Sequence, residues 1–228
     1  MSQEIGFTRT IDRYIPLVHF LGVFLGSQCE IVLHDVGVKE KSVLAIANGH
    51  ISGRAVGAPL TDLSLTFLKS KEYMKSDWVM GYKTQSSDGH PLHSATYFIR
   101  EDDGTLAGML CLNMDTSDVQ QAQECLQRFI KATGVESDTE KGSPESRDNS
   151  VHFETFTDNI ESLTEGIIRK VIDQAEVDPE RMTTDEKMKI MRRLNERGVF
   201  LLKGAVSLVA VALAASEATI YRYLQKIS

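Results

Sequence analysis

A run of polar side chains near the middle of the N-terminal half has the residue types needed to bind a small polar molecule. Glycines interleave with these side chains and let a ligand approach the backbone closely. The guanidinium of Arg54 can form paired hydrogen bonds with a carboxylate, and Asp35 can pair with an amine. The candidate ligand-binding residues are therefore Asp35, Asn48, His50, Ser52 and Arg54. The alternative is that the run only builds a turn across a sheet, with Arg54 paired to Asp62 for structure.

Motifs for catalysis or metal binding are absent from the sequence. It contains no GxSxG, Walker loop, GxGxxG or HExxH pattern. His90 and His93 flank Pro91 at an expected strand start, so their three-residue spacing does not place two ligands on a helix. His34 and Asp35 are interpreted as a turn that caps backbone amides, with an acid/base pair as the alternative. We expect no catalytic residue, metal site or cofactor, and no enzyme activity.

The C-terminal end has the pattern of a helix-turn-helix. Helices are predicted over 204–213 and 216–227, joined by a tight turn at Ala214 and Ala215, with Ser216 as the N-cap of the second helix. A small residue, Ala210, lies where the two helices would cross. The second helix of such a motif enters the major groove of DNA. The expected DNA-binding residues are Ser216, Glu217, Ala218, Thr219, Tyr221, Arg222 and Gln225. The alternative is an apolar helical hairpin that serves only as core or as a dimer interface.

The charge distribution favours the DNA-binding interpretation. From Arg181 to Ser228 nine basic residues stand against four acidic ones, a net charge of +5, whereas the whole chain carries −7. The preceding residues therefore carry −12. A basic module on an acidic body is typical of a protein with an anionic partner.

The N-terminal part predicts an α+β domain with an antiparallel sheet. Apolar residues at helical spacing indicate a helix from Ile11 to Leu25. Strands are predicted over 30–34, 42–47, 94–100 and 105–113, with Asp102–Gly104 as a hairpin turn between the last two. A short helix is expected over 61–69, capped by Thr61 or Asp62, and another from Thr116 or Ser117 to about Lys131.

A polar segment divides the chain into two parts. Residues 136–150 contain no apolar residue, which is typical of a flexible linker. The expected organisation is a sensor domain over 1–133, a linker over 134–152, a connecting or dimerisation helix over 153–178 and a DNA-binding domain over 179–228. The stripe of Phe156, Ile160, Leu163, Ile167 and Val171 is either core or a dimer seam. Thr184 is the expected N-cap of a further helix that ends at Gly198.

Composition and termini indicate a cytoplasmic protein. The first residues lack the basic region and apolar stretch of a secretory signal. The most apolar run, Val199–Ala215, has 17 positions and contains Lys203 and Ser207, too few and too polar for a membrane span. Three cysteines without a CxxC pair fit a reducing compartment.

Several N-terminal strings resemble those of one bacterial family. They are the segments 29–35, 46–54, 57–62 and 108–115, which read CEIVLHD, IANGHISGR, GAPLTD and GMLCLNMD. Together with the C-terminal string around Ser216 they are similar to the YheO-like PAS family, which includes regulators of D-arginine utilisation. The resemblance implies a PAS-like sensor domain joined to a helix-turn-helix, and it suggests an amino acid as the effector.

The sequence as a whole predicts a transcriptional regulator. Its expected partners are double-stranded DNA, a small-molecule effector and a second copy of the chain, because one short helix-turn-helix contacts few base pairs. The helix around Val18 and Leu21 is another candidate dimer seam. The alternative function is a sensor or adaptor that uses the helical tail for protein contacts and does not bind DNA.

Overall fold

The computed structural model describes residues 9–86, 88–133, 159–175 and 177–227, which form an N-terminal α+β unit and a C-terminal helical unit. The N-terminal elements are α1 (Ile15–Phe24), β1 (Cys29–Asp35), β2 (Val43–Ala47), α2 (Asp62–Ser70), β3 (Trp78–Gln85), β4 (Pro91–Arg100), β5 (Leu106–Asp115) and α3 (Ser117–Thr133). The C-terminal helices are α4 (Ile160–Ile172), α5 (Thr184–Glu196), α6 (Ala205–Ala212) and α7 (Glu217–Ile227). This architecture confirms the predicted fold class.

The five strands form one antiparallel sheet in the order β2-β1-β5-β4-β3. The predicted β4–β5 hairpin is present: the Glu101 amide donates to the Thr105 carbonyl at 2.8 Å, and Gly104 takes a left-handed φ of +84°. Register places Glu30 of β1 opposite Asn113 of β5, and Asn113 opposite Ser94 of β4. These three side chains therefore point to the same face.

Different helices cover the two faces of the sheet. On the outer face, α1 packs over β1 and β2 and encloses Val18, Ile31 and Leu33. On the inner face, the α2 residue Phe67 meets Phe98 edge-on with ring centroids 5.8 Å apart. Because side chains alternate along a strand, each strand contributes to both layers.

The C-terminal unit has its own apolar core. Its buried side chains include Leu163, Ile167, Met191, Leu194, Val199, Val209, Leu213, Ile220 and Tyr223. In the described part of the chain no single helix is both long and apolar enough to cross a membrane. The pair α6 and α7 has the length and composition together, but it is bent by 105°.

Side chains named for the two candidate dimer seams lie in the cores of the units, and for the 156–171 stripe this is the core alternative of the sequence prediction. Leu163, Ile167 and Val171 of the apolar stripe are fully buried in the core of the C-terminal unit, so they cannot meet a partner. Val18 is likewise fully buried against its own sheet, and Leu21 packs there half-buried. Phe156 lies outside the described residues, as do the expected linker and the first residues of the helix expected over 153–178.

Two further details differ from the sequence prediction. Strand β3 was not expected, because Gly81 at φ +77° forms a bulge that breaks the apolar alternation of this edge strand. The N-cap of α5 is Thr183, one residue earlier than expected. Its hydroxyl accepts from the Glu186 amide while the Glu186 carboxylate accepts from the Thr183 amide, which completes a capping box.

Candidate functional site

The start of α7 is held by the contacts that a helix-turn-helix needs. The Ser216 hydroxyl accepts from the Thr219 amide at 3.2 Å, so Ser216 is the N-cap as predicted. Ala214 takes a left-handed φ of +46° in the turn. The Ser207 hydroxyl of α6 donates to the Glu217 carboxylate at 2.6 Å and ties the two helices together.

One side of α7 is open to solvent and the other is core. Ile220 and Tyr223 are buried, whereas Tyr221 is 56% exposed. The exposed members of the predicted DNA-binding set are Ser216, Glu217, Ala218, Tyr221, Arg222 and Gln225, and Thr219 is half-exposed. The Arg222 guanidinium lies 5.9 Å from the ring centroid of Tyr223, which limits where this cation can point.

Basic side chains on α5 extend the positive surface of the C-terminal unit. Lys189, Arg192 and Arg193 are exposed. Lys187 donates its ammonium to the Leu213 carbonyl at 2.7 Å, which neutralises the C-terminal end of α6 beside the turn. The arrangement offers positive charge for phosphates together with an exposed helix side that can reach base edges.

The predicted ligand-binding residues do not form one cluster. Asn48, at φ +57°, donates its side-chain amide to the Gly22, Gly26 and Cys29 carbonyls and so fastens the end of α1 to the sheet. His50 is exposed. Asp35 pairs with Arg9 and accepts from the Gly37 amide at 2.8 Å, on the wall of an open cleft of about 610 Å³. Only Ser52 and Arg54 are buried together over the inner face.

Ser52 belongs to a hydrogen-bonded chain of buried polar side chains that crosses the inner face. This polar row consists of Thr84, Ser94, Asn113, Glu30 and Ser52, each at most 4% exposed. The Thr84 and Ser94 hydroxyls are 2.7 Å apart, and Ser94 donates to the Asn113 carbonyl oxygen at 2.8 Å. Asn113 donates to one Glu30 carboxyl oxygen at 2.9 Å, and the Ser52 amide and hydroxyl donate to the other. The row joins four strands to the loop after β2.

Burial dominates the electrostatics of this face. Desolvation raises the pKa of Glu30, although hydrogen bonds from Ser52 and Asn113 and the charge of Arg54 oppose the rise. Desolvation, followed by the nearby Arg54 cation, lowers the pKa of His34 well below its usual value. His34 also lies 2.8 Å from the Ser42 hydroxyl. Burial thus opposes the charged form of both groups beneath Arg54.

The loop that carries Ser52 and Arg54 leads directly into α2. The Arg54 amide donates to the Ser52 hydroxyl at 3.3 Å, and its guanidinium donates to the Pro59 carbonyl. Two residues later, the Thr61 hydroxyl accepts from the Ser64 amide at 3.2 Å and begins the helix, as predicted. Hydrogen bonds and the short segment from Pro59 to Thr61 therefore connect the polar row to the N-terminus of α2.

Helix α2 also packs against the C-terminal unit. Leu60 and Leu65 are fully buried in the same core as α4, α5 and α6. Asp62 lies 3.7 Å from the Lys170 ammonium of α4. A Cβ at Gly198 would lie 2.8 Å from the Leu65 carbonyl oxygen, so only glycine allows this approach. One helix thus contacts the sheet through Phe67 and the C-terminal unit through Leu65.

The polar row was missed from the sequence because its members are scattered over four strands. The signal available was a single polar residue inside an otherwise apolar strand, such as Glu30 in β1 or Asn113 in β5. Neither residue alone indicates a site. The strand register brings them together.

Comparisons with known proteins support both units separately. Residues 7–131 match a family model described as a YheO-like PAS domain, and residues 163–225 match one described as an HTH domain. The HTH match includes most of α4, consistent with the burial of that helix in the C-terminal core.

Several relatives match over nearly the whole of this chain. A protein of Haemophilus influenzae is 33% identical over 95% of this chain and 90% of its own length. YheO of Escherichia coli K12 is 32% identical, covering 95% of this chain and 84% of YheO. The transcriptional regulator DauR of Pseudomonas aeruginosa is 22% identical, covering 96% and 94%.

Proposed function

We propose that this chain, which belongs to the YheO-like PAS family, is a cytoplasmic DNA-binding transcriptional regulator. In this proposal a small polar effector controls its activity. The observation that carries the proposal is the capped, half-exposed α7 within a helix-turn-helix unit that docks on the PAS domain through α2. The relative DauR, which aligns with 96% of this chain over 94% of its own length, is a transcriptional regulator. A regulator needs both a DNA reader and a physical contact between that reader and its sensor.

In the proposed DNA complex, α7 lies in the major groove. Tyr221, Arg222 and Gln225 face the base edges, with Glu217 and Ala218 beside them. Ser216 and the free amides of the first turn meet phosphate, as the N-terminus of a helix does. The basic residues of α5 add phosphate contacts, and two copies of the chain contact two half-sites.

The proposed effector site is the inner face of the PAS domain at the polar row. A fully buried carboxyl group bonded to a chain of hydroxyl and amide groups costs desolvation energy that an apolar core would not. Such a group is better suited to recognising a polar ligand than to stabilising a fold. Ser52 and Arg54 are the members of the sequence-based candidates that fit this site, and amino acids are the first class of metabolite to screen.

The proposed signal passes through α2. An effector that displaces the Glu30–Ser52 contact would shift the 52–61 loop, and the loop positions the α2 N-terminus against the C-terminal core. The coupling equals the difference in the effector's affinity for the two domain arrangements, typically about 1–3 kcal/mol. Operator DNA must then change the effector's affinity by the same factor.

The test starts from genome-wide mapping of the protein's binding sites and continues with the full-length chain and one mapped promoter fragment. Fluorescence anisotropy gives the DNA affinity, and a thermal-shift screen of amino acids identifies the effector. We expect specific DNA binding that an effector changes about 5- to 150-fold. Absence of duplex binding would favour the adaptor function, and an effector with equal affinity in the presence and absence of operator would disprove the coupling.

A further inference from the structure

Helix α3 has an amphipathic sequence, but the described residues leave its apolar side uncovered. It has 17 residues, and none of its side chains is buried in the described structure. Its apolar stripe consists of Val119, Ala122, Leu126, Phe129 and Ile130, and Leu126 and Phe129 are 63% and 67% exposed. Helices in proteins owe most of their stability to packing of such a stripe, so an uncovered one indicates a missing partner.

The contacts that fasten α3 to the sheet lie at its beginning. The Thr116 amide donates to the Pro91 carbonyl at 3.0 Å, and the Ser117 amide donates to the Asp115 carboxylate at 2.8 Å. Gln28 donates to Asp118 at 3.4 Å. Beyond this first turn the helix extends about 20 Å at 1.5 Å per residue, carrying its stripe away from these contacts.

The described residues leave a second apolar surface uncovered on the sheet of the same chain. The outer face is covered by α1 only over β1 and β2. Four apolar side chains are exposed on β3, β4 and β5: Trp78 (50%), Met80 (68%), Tyr97 (40%) and Met114 (44%). Their register places them on the face that carries α1. We call these four residues the bare sheet patch.

We propose that the α3 stripe of one copy packs on the bare sheet patch of a second copy, and the reverse, in a two-fold dimer. Each chain presents both a helix stripe and a sheet patch, so a single two-fold arrangement covers all four surfaces at once. This deepens the proposed dimeric assembly by naming its surface. It uses exposed side chains in place of the buried ones named for the two candidate seams.

The area available supports a second copy as the occupant. Aromatic side chains bury about 150–250 Å² each, and Trp78, Tyr97 and Phe129 all belong to the two surfaces. These three side chains are about half exposed, so counted twice by symmetry they supply about 600 Å². The exposed parts of Met80, Met114, Val119 and Leu126 raise the total past the roughly 1,000 Å² that a specific interface requires. The outward side of α1 adds exposed apolar surface on the same face of the sheet, where Phe20 and Phe24 stack with ring centroids 6.0 Å apart.

The first experiment measures the mass of the full-length chain by sedimentation velocity across micromolar concentrations without DNA. We expect the parent to be a dimer, and Phe129→Asp or Met80→Asp each to weaken it by at least about 100-fold, because each substitution removes two equivalent contacts. Gln121→Asp, on the polar side of α3, is the matched control and should leave the dimer unchanged. Circular dichroism establishes that each variant folds. A monomeric parent, or a dimer indifferent to both substitutions, would overturn the proposal.

The second experiment distinguishes whether the bare sheet patch is covered by α3 of a partner or by α3 of the same chain. Cys125 is exposed on α3, whereas Cys29 and Cys111 are buried. A variant that carries both Met80→Cys and Cys125→Ser is mixed with the parent and treated with a short bismaleimide. A covalent dimer that joins the introduced cysteine of the variant to Cys125 of the parent supports the proposal. In a chain with Met80→Cys that retains Cys125, a cross-link confined to single chains would contradict it. A dimer that forms normally but does not bind DNA would count against the proposed function alone.

Discussion

Leu65→Ala should uncouple the unfolding of the two units. Leu65 is fully buried and extends from α2 into the core of the C-terminal unit. The substitution removes three carbon atoms, which at about 0.8 kcal/mol each corresponds to about 2.4 kcal/mol of lost burial. A cavity left behind raises the cost towards the upper end of the roughly 2–5 kcal/mol range for Leu→Ala. Because the loss falls on the contact between the units, it reduces their mutual stabilisation.

The assay follows urea unfolding with two probes. The chain contains 1 tryptophan, Trp78 in β3, so its fluorescence reports the N-terminal unit. Far-UV circular dichroism is weighted towards the helices, including α4 to α7. We expect coincident transitions in the parent and separated transitions in Leu65→Ala. Coincidence is the ordinary test for a single cooperative unit.

Leu33→Ala is the matched control. Leu33 is also fully buried, but it lies between α1 and the sheet. This substitution removes the same atoms and should move both curves to lower urea together. The reasoning is refuted if Leu65→Ala keeps coincident curves with an unchanged midpoint, or if the parent transitions are already separate.

Three further predictions concern single side chains. Arg222→Ala should weaken operator binding by about 1–3 kcal/mol without changing the circular dichroism spectrum, and unchanged anisotropy titrations would contradict the placement of α7 in the groove. Ser216→Ala removes the acceptor for the Thr219 amide and should lower the free energy of unfolding by about 0.5–2 kcal/mol in urea, whereas Ser216→Asp, which keeps an acceptor, should lose less. Burial raises the pKa of Glu30, so its stabilising contribution is present at low pH and is lost as pH rises through that raised pKa. The melting temperature of Glu30→Gln should therefore exceed that of the parent by an amount that grows with pH. A difference in melting temperature that is constant with pH would refute this.

Local sequence patterns sufficed for the elements that are capped or strongly periodic. Thr61, Ser216 and the Asp102–Gly104 turn were identified because their chemistry acts over a few residues. Strand β3 was missed because a bulge at Gly81 and the exposure of an edge strand obscure its alternation. The sequence therefore indicated the fold class but one strand too few.

The two candidate sites differ in the same way: one lies within a single helix, and the other is assembled from several strands. The exposed side of α7 follows from helical periodicity within one element, so its residues could be named in advance. The polar row depends on the pairing of Glu30 with Asn113 and of Asn113 with Ser94, which no short pattern encodes. The role of α2 was equally hidden, because the burial of Leu65 comes from helices more than a hundred positions further along the chain.

The most direct test of the central claim is the salt dependence of DNA binding by the full-length chain at a promoter fragment mapped in its own genome. A dimer whose α7 and α5 residues neutralise about six phosphates should lose about 10³-fold in affinity between about 50 and about 200 mM salt. Fluorescence anisotropy at a series of salt concentrations gives this slope, and a scrambled fragment gives the non-specific baseline. The account predicts a steep slope and binding at least about 10³-fold tighter than the scrambled fragment. Binding that is absent, insensitive to salt or equal for both fragments would contradict it.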